Sequence, residues 1–133
     1  MEQENEIIRF KIPGKAPSKS NAYKIITIKK GKFNHASLAK TKALKEYEKK
    51  FFSHFPPQYR NLQLDHFFTI KGYVYYPSNR ADLDNSLKII LDCLQKVTGT
   101  IKNDNKCMEI HFFRAVDKEY PRIEIELEIL KHL

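Results

Sequence analysis

Nine residues near the end of the chain, Arg122 to Leu130, alternate without a break. Ile123, Ile125, Leu127 and Ile129 share one parity, and Glu124, Glu126 and Glu128 share the other. Successive side chains of a strand point to opposite faces, so this segment is a strand whose apolar face must be buried. The chain therefore builds a sheet with one side against a core, which excludes an all-helical fold. The acidic parity reads as a solvated face that also discourages edge pairing.

Other segments supply what covers that sheet. Glu6 to Ile12 is a first strand, ended by Pro13-Gly14, and Tyr23 to Lys29 is β-rich, an extra strand ended by Gly31. Ser37 is the expected cap of a helix running to about Phe52, with Leu44, Tyr47 and Phe51 on one face. Leu64 to Tyr76 is a long strand, broken by Pro77-Ser78-Asn79. A second helix runs from Asp82 to about Val97, with Leu83, Leu87, Ile90, Leu91 and Leu94 in one stripe. Cys107 to Val116 and Arg122 to Leu130 are expected to close the fold as a hairpin. The expectation is an α+β fold in a single compact domain, 1–133, with a small mixed β-sheet and two main helices in the order βαβαββ.

The charge is unevenly distributed. Of 24 Lys and Arg residues, eleven are lysines between Gly14 and Lys50, where Glu46 and Glu48 are the only acids. The net +8 of the protein thus resides in one third of it. Such a field attracts phosphate backbones through counterion release, largely without sequence preference. A solvated lysine-rich surface is the plainer alternative. No apolar run reaches the roughly 18 residues of a membrane span, and Met1 to Glu6 lacks the basic start of a signal peptide. Cys93 and Cys107 form no CxxC pair, which leads us to expect a reduced, cytoplasmic protein. Cys93, beside the leucine stripe, is expected in the core. A phosphate loop of the GxxxxGK[ST] type is absent, so no nucleotide cofactor is expected, and the scattered histidines lack zinc-ligand spacing.

The segment Asn79-Arg-Ala-Asp-Leu-Asp-Asn-Ser-Leu-Lys88 carries the chemistry. It sets Asp82, Asp84, Asn85 and Lys88 at a strand-to-helix junction, and Asp104 follows in the loop before the next strand. If both loops open at one end of the sheet, three carboxylates converge. Close carboxylates repel, and a cation such as Mg²⁺ allows all of them to stay ionised. That arrangement suits phosphodiester hydrolysis, with Lys88 one turn after Asp84 placed to meet a phosphate. The same residues also have an ordinary reading. Asp82 is then an N-cap, Asp84 and Lys88 are an i,i+4 pair worth about 0.3–0.5 kcal/mol, and Asp104 is a turn residue. Asp92 reads as a surface or supporting residue. From the residues alone both readings stand.

Asp82-Leu-Asp-Asn85, then Lys88, Asp92 and Asn103-Asp104 resemble the motif of the RusA-like Holliday junction resolvases, compact endodeoxyribonucleases common in phages and prophages. Pro17-Ser18 to Asn21 is a weaker echo of that family's N-terminal segment. The resemblance implies that Asp82, Asp84 and Asp104 are catalytic acids that bind Mg²⁺, with Mn²⁺ as a possible substitute. It further implies that Lys88 is the catalytic or phosphate-contacting group and that Asn85 supports the site. The implied activity is Mg²⁺-dependent, symmetric paired nicking of four-way junctions by a homodimer in DNA recombination and repair, releasing 3′-hydroxyl and 5′-phosphate ends. Arg80 is all that remains of the family's arginine cluster, so Lys42, Lys45, Lys49, Lys19 and Asn21 join it as expected DNA contacts. The competing functions are a metal-dependent nuclease for other branched DNA and a non-catalytic nucleic-acid-binding protein.

Overall fold

Four strands form the sheet that the terminal alternation demands, and it is mixed. The computed structural model describes residues 5–18, 22–80 and 83–131, and for 83–85 the backbone only. The elements are β1 (Glu6–Pro13), β2 (Tyr23–Lys30), β3 (Phe33–Lys40), α1 (Lys42–His54), β4 (Phe67–Tyr76), α2 (Leu83–Asp92), β5 (Cys107–Val116) and β6 (Arg122–Leu130). The main sheet has the order β1-β6-β4-β5, and β2 and β3 form a separate two-stranded ribbon.

Ile123, Ile125, Leu127 and Ile129 of β6 are all buried, as their alternation requires. They meet Ile8, Phe10 and Ile12 of β1 and Phe68, Ile70, Val74 and Tyr76 of β4 in one core. Helix α1 closes that core with Leu44, Tyr47 and Phe51, and Phe10, Phe51 and Phe55 form a ring cluster with centroids 4.9–5.9 Å apart. Helix α2 contributes Ile89, Ile90 and Leu91, and Cys93 and Leu94 of the following π-helical turn (Cys93–Val97) complete it. Cys93 is thus a core residue, and burial pushes its thiol up to about 12. Among the described residues no helix is long and apolar enough to cross a membrane.

Three expectations are corrected. The element order is βββαβαββ, because Phe33–Lys40 is a strand and Thr41, not Ser37, caps the first helix. Thr41 Oγ1 accepts the backbone N–H of Leu44 at 3.2 Å, satisfying a donor that the first turn leaves free. The last two strands do not form a hairpin. β5 runs parallel to β4, while β6 lies between β1 and β4 and is antiparallel to both. Since β6 is internal, its acidic row does not protect an edge. Glu126 pairs with Arg9 at 2.8 Å and Lys71 at 3.0 Å, and Glu124 with Lys11 at 3.2 Å and Arg122 at 3.1 Å. Glu124 and Glu126 thus neutralise bases of β1, of β4 and, in Arg122, of β6 itself.

Candidate active site

Parallel pairing of β4 and β5 requires a crossover, and α2 is that crossover. The register sets Phe68 beside Cys107 and Tyr76 beside Val116. The chain therefore leaves the far end of β4, returns along α2, and enters β5 beside the start of β4. The loop before α2 and the loop before β5 open at opposite ends of the sheet, not at one end as the sequence suggests. Any meeting of their acids has to occur along the body of the helix.

Lys88 makes that meeting. Its Nζ donates to Asp104 Oδ2 at 2.9 Å and lies 3.2 Å from Asp92 Oδ1. Asp92 is one turn after Lys88 on the same helix, so the i,i+4 spacing alone brings that pair together. Asp104 comes from the 3₁₀ turn Asp104–Lys106, sixteen residues further along the chain. Both carboxylates are about three-quarters buried and Lys88 is more than half exposed. The bond to Asp104, then that to Asp92, raises the Lys88 ammonium above its ordinary 10.5. At neutral pH it is a fixed cation and not a proton acceptor.

The segment that presents Asp104 is held firmly. Thr98 and Thr100 are fully buried, and their hydroxyls are 2.8 Å apart. Thr100 Oγ1 also donates to the carbonyl of Tyr59 at 2.8 Å. Gly99 between them takes φ 62°, and a Cβ there would meet Gln63 Nε2 at 2.9 Å, so only glycine makes this turn without strain. Ile101 then plugs the core. Gln95 Oε1 accepts the backbone N–H of Asp104 at 3.3 Å, and Asn103 Oδ1 accepts that of Asn105 at 3.1 Å. Gln95 is a positioning residue that the sequence reading missed, because its polar amide in an apolar helix gives no spacing signal. At the other end of α2, the Tyr76 hydroxyl donates to Ser86 Oγ at 2.7 Å within the core and ties β4 to the first turns of the helix.

The remaining expected residues divide clearly. Asp82, Lys19 and Asn21 lie outside the described residues, as do the side chains of Asp84 and Asn85. The backbone of Asp84 and Asn85 lies in the first turn of α2, and Asp84 precedes Lys88 by one helical turn, about 6 Å of rise. Arg80 is exposed in the loop after β4, its backbone N–H 3.4 Å from Ser78 Oγ. Arg114 of β5 donates to the Asn79 carbonyl of the same loop at 3.5 Å, which adds a base that was not foreseen. Lys42, Lys45 and Lys49 are outside the core on α1, and Lys42 pairs loosely with Glu46 at 3.9 Å. The bases that share a cleft with Asp92 are Lys40 and Lys96.

Among the described residues, no group of three His, Cys, Asp or Glu side chains is placed to hold a metal ion. Asp92 and Asp104 offer carboxylate oxygens, donors that suit a hard cation such as Mg²⁺, while Cys93 beside Asp92 is a buried thiol whose pKa is raised. A family model described as endodeoxyribonuclease RusA matches residues 15–128. That span runs from the loop after β1 into β6 and includes Lys88, Asp92 and Asp104. No curated protein matches the chain.

Proposed function

Since the chain belongs to the RusA endodeoxyribonuclease family, we propose that it is a Mg²⁺-dependent nuclease that resolves four-way DNA junctions by paired, symmetric nicks. Family membership supports nuclease activity and junction resolution in general, and the finer reading rests on the site. The observation that carries it is the Lys88 ammonium held between Asp92 and Asp104. A protonated lysine fixed at a cluster of carboxylates is a ready partner for a phosphate that brings further negative charge.

In this reading Asp82, Asp84 and Asp104 would hold Mg²⁺, with Asn85 supporting them and Mn²⁺ able to substitute. When bound, the ion polarises a phosphodiester and lowers the pKa of water. Lys88 neutralises Asp104 in the resting protein and donates to a phosphate oxygen as charge develops in the transition state. Asp92 keeps the lysine in place while Asp104 is engaged elsewhere. Gln95 and the buried 98–101 turn hold Asp104 against this exchange of partners. A homodimer would present two such sites to the two equivalent strands of a junction, in keeping with two-fold symmetry. Arg80, Lys42, Lys45, Lys49, Lys19 and Asn21 are the proposed DNA contacts around them.

A synthetic four-way junction tests this reading. Wild-type protein with Mg²⁺ is expected to leave paired symmetric nicks, and Asp84→Asn is expected to bind without cutting. Equal cleavage by Asp84→Asn removes that residue from the chemistry. Cleavage of flaps or forks in preference to four-way junctions supports a broader branched-DNA nuclease. Folded wild-type protein that cuts no branched DNA is a binding module instead.

A further inference from the structure

The ribbon of β2 and β3 is unlike the rest of the molecule. Its strands pair only with each other, residue for residue from Tyr23↔Lys40 to Lys30↔Phe33. The two-residue turn Gly31-Lys32 joins them, and Gly31 takes φ 59°, the conformation of the first position of a II′ hairpin turn. The base is fixed to the body. Ala22 is buried, its carbonyl accepts the Thr41 N–H at 2.9 Å, and Lys40 pairs with Glu48 of α1 at 2.8 Å. Beyond that base the ribbon runs for eight residues per strand, a reach of about 25 Å.

Large apolar side chains on this ribbon face water. Phe33 is 79% exposed, Ile25 76% and Leu38 70%, and Ile25 and Leu38 are direct cross-strand partners. Ile25 and Leu38 lie on one face and Phe33, beside Lys30, on the other. A two-stranded ribbon alone is marginal in water, and large side chains left open on both of its faces mark it as a contact element. Its charge identifies the partner. Residues 23–40 include Lys24, Lys29, Lys30, Lys32 and Lys40 and no acid. Three of these lysines flank the turn beside Phe33. On β6, Glu124 and Glu126 are already paired with Arg9, Lys11, Lys71 and Arg122, so those acids offer a second copy of so basic a ribbon little counter-charge.

We infer that the 23–40 ribbon is a DNA-contacting arm: Lys29, Lys30 and Lys32 grip phosphates while Phe33 stacks on bases exposed where a junction branches. The inference rests on the reading of the protein as a branched-DNA nuclease. A two-stranded ribbon fits the major groove, and an aromatic ring at its tip stacks on any unpaired base. Continuous duplex offers no such base, so the ring favours branched over linear DNA and the lysines do not discriminate.

The experiment measures binding to a four-way junction carrying 2-aminopurine at the branch point, beside linear duplex of the same sequence, over a range of salt. Wild type is expected to change the fluorescence of the junction probe. Phe33→Ala loses that change and binds the junction about tenfold more weakly, with duplex binding unaltered, while Phe33→Tyr retains both. Replacing Lys29, Lys30 and Lys32 by glutamine lowers the salt slope for both DNAs, by about 0.9 for each phosphate no longer neutralised. Wild-type fluorescence and affinity in Phe33→Ala, or an unchanged slope in the triple variant, overturn the inference. So does a loss of dimer mass in Phe33→Ala by sedimentation, which gives the ribbon to a second copy of the chain. These readouts do not require cutting. Failure of wild type to cleave any junction therefore counts against the nuclease reading and leaves the arm to be judged by binding.

Discussion

The β2–β3 ribbon and helix α2 show two uses of apolar residues in one small protein. Ile89, Ile90, Leu91, Cys93 and Leu94 are buried against the sheet, and the polar stripe of Lys88 and Asp92 on the same element meets Asp104. On the ribbon, Ile25, Phe33 and Leu38 are as apolar and stand in water among lysines. Burial fixes the helix, and so fixes the distances between charged groups that chemistry requires. The ribbon has only its base to hold it, which suits a surface that adapts to a partner. The difference separates a rigid acidic site from a basic arm.

Substitutions probe that separation, and the largest effects belong to the body. Phe51→Ala removes a fully buried ring from the core and is expected to cost about 3–5 kcal/mol in a denaturant titration. A loss under 1 kcal/mol would mean that α1 is not part of one cooperative core. Lys88→Met keeps the aliphatic stem and removes the charge. Cleavage is expected to fall by about 10²–10³-fold, with junction affinity within a few fold of wild type. Because two acids raise its pKa above 10.5, Lys88 stays charged from pH 6 to 9. Its ion pairs are complete below 10.5 and weaken only as pH climbs through the raised value. A rate profile with a lysine-dependent step near neutrality would contradict that assignment.

Smaller effects come from the junction between the two regions and from the arm itself. Thr41→Ala removes the cap of α1 and a side-chain bond to the Ala22 carbonyl at 3.2 Å. It is expected to cost about 1 kcal/mol, with Thr41→Ser close to wild type. Leu38→Ala, on the exposed ribbon, is expected to change stability by less than about 0.5 kcal/mol. A core-sized loss there would show that the ribbon is packed in solution and would erase the contrast.

Local periodicity made much of this fold legible. The β6 alternation and the α2 stripe each imply one buried face. The β6 face is buried, and so are Ile90, Leu91 and Leu94 of the stripe, with Leu87 partly so. Strand β3 was missed because Phe33, Leu38 and Ala36 do not face a core, so no burial pattern marks it as a strand. The expected β5–β6 hairpin fails because β6 inserts between β1 and β4, and its pairing with β1 joins residues over a hundred apart in the chain. In the site, the sequence pairs Lys88 with Asp84 at i,i+4 and leaves Asp92 a surface or supporting residue. Asp92, at the same spacing on the other side of Lys88, is the acid that lies 3.2 Å from it. Asp104 stands out as a third carboxylate in the loop before a strand, and its route to Lys88 along the helix depends on the parallel β4–β5 pairing that local sequence does not reveal.

The most direct test of a division between acidic site and basic arm measures junction affinity and single-turnover cleavage together in two variants. Asp104→Asn is expected to lose cleavage by about 10²-fold or more while binding no more weakly than wild type. The variant with Lys29, Lys30 and Lys32 replaced by glutamine is expected to bind more weakly and to cut at the wild-type rate once the junction is saturating. If Asp104→Asn cleaves like wild type, or if affinity and saturated rate fall together in both variants, the division is wrong.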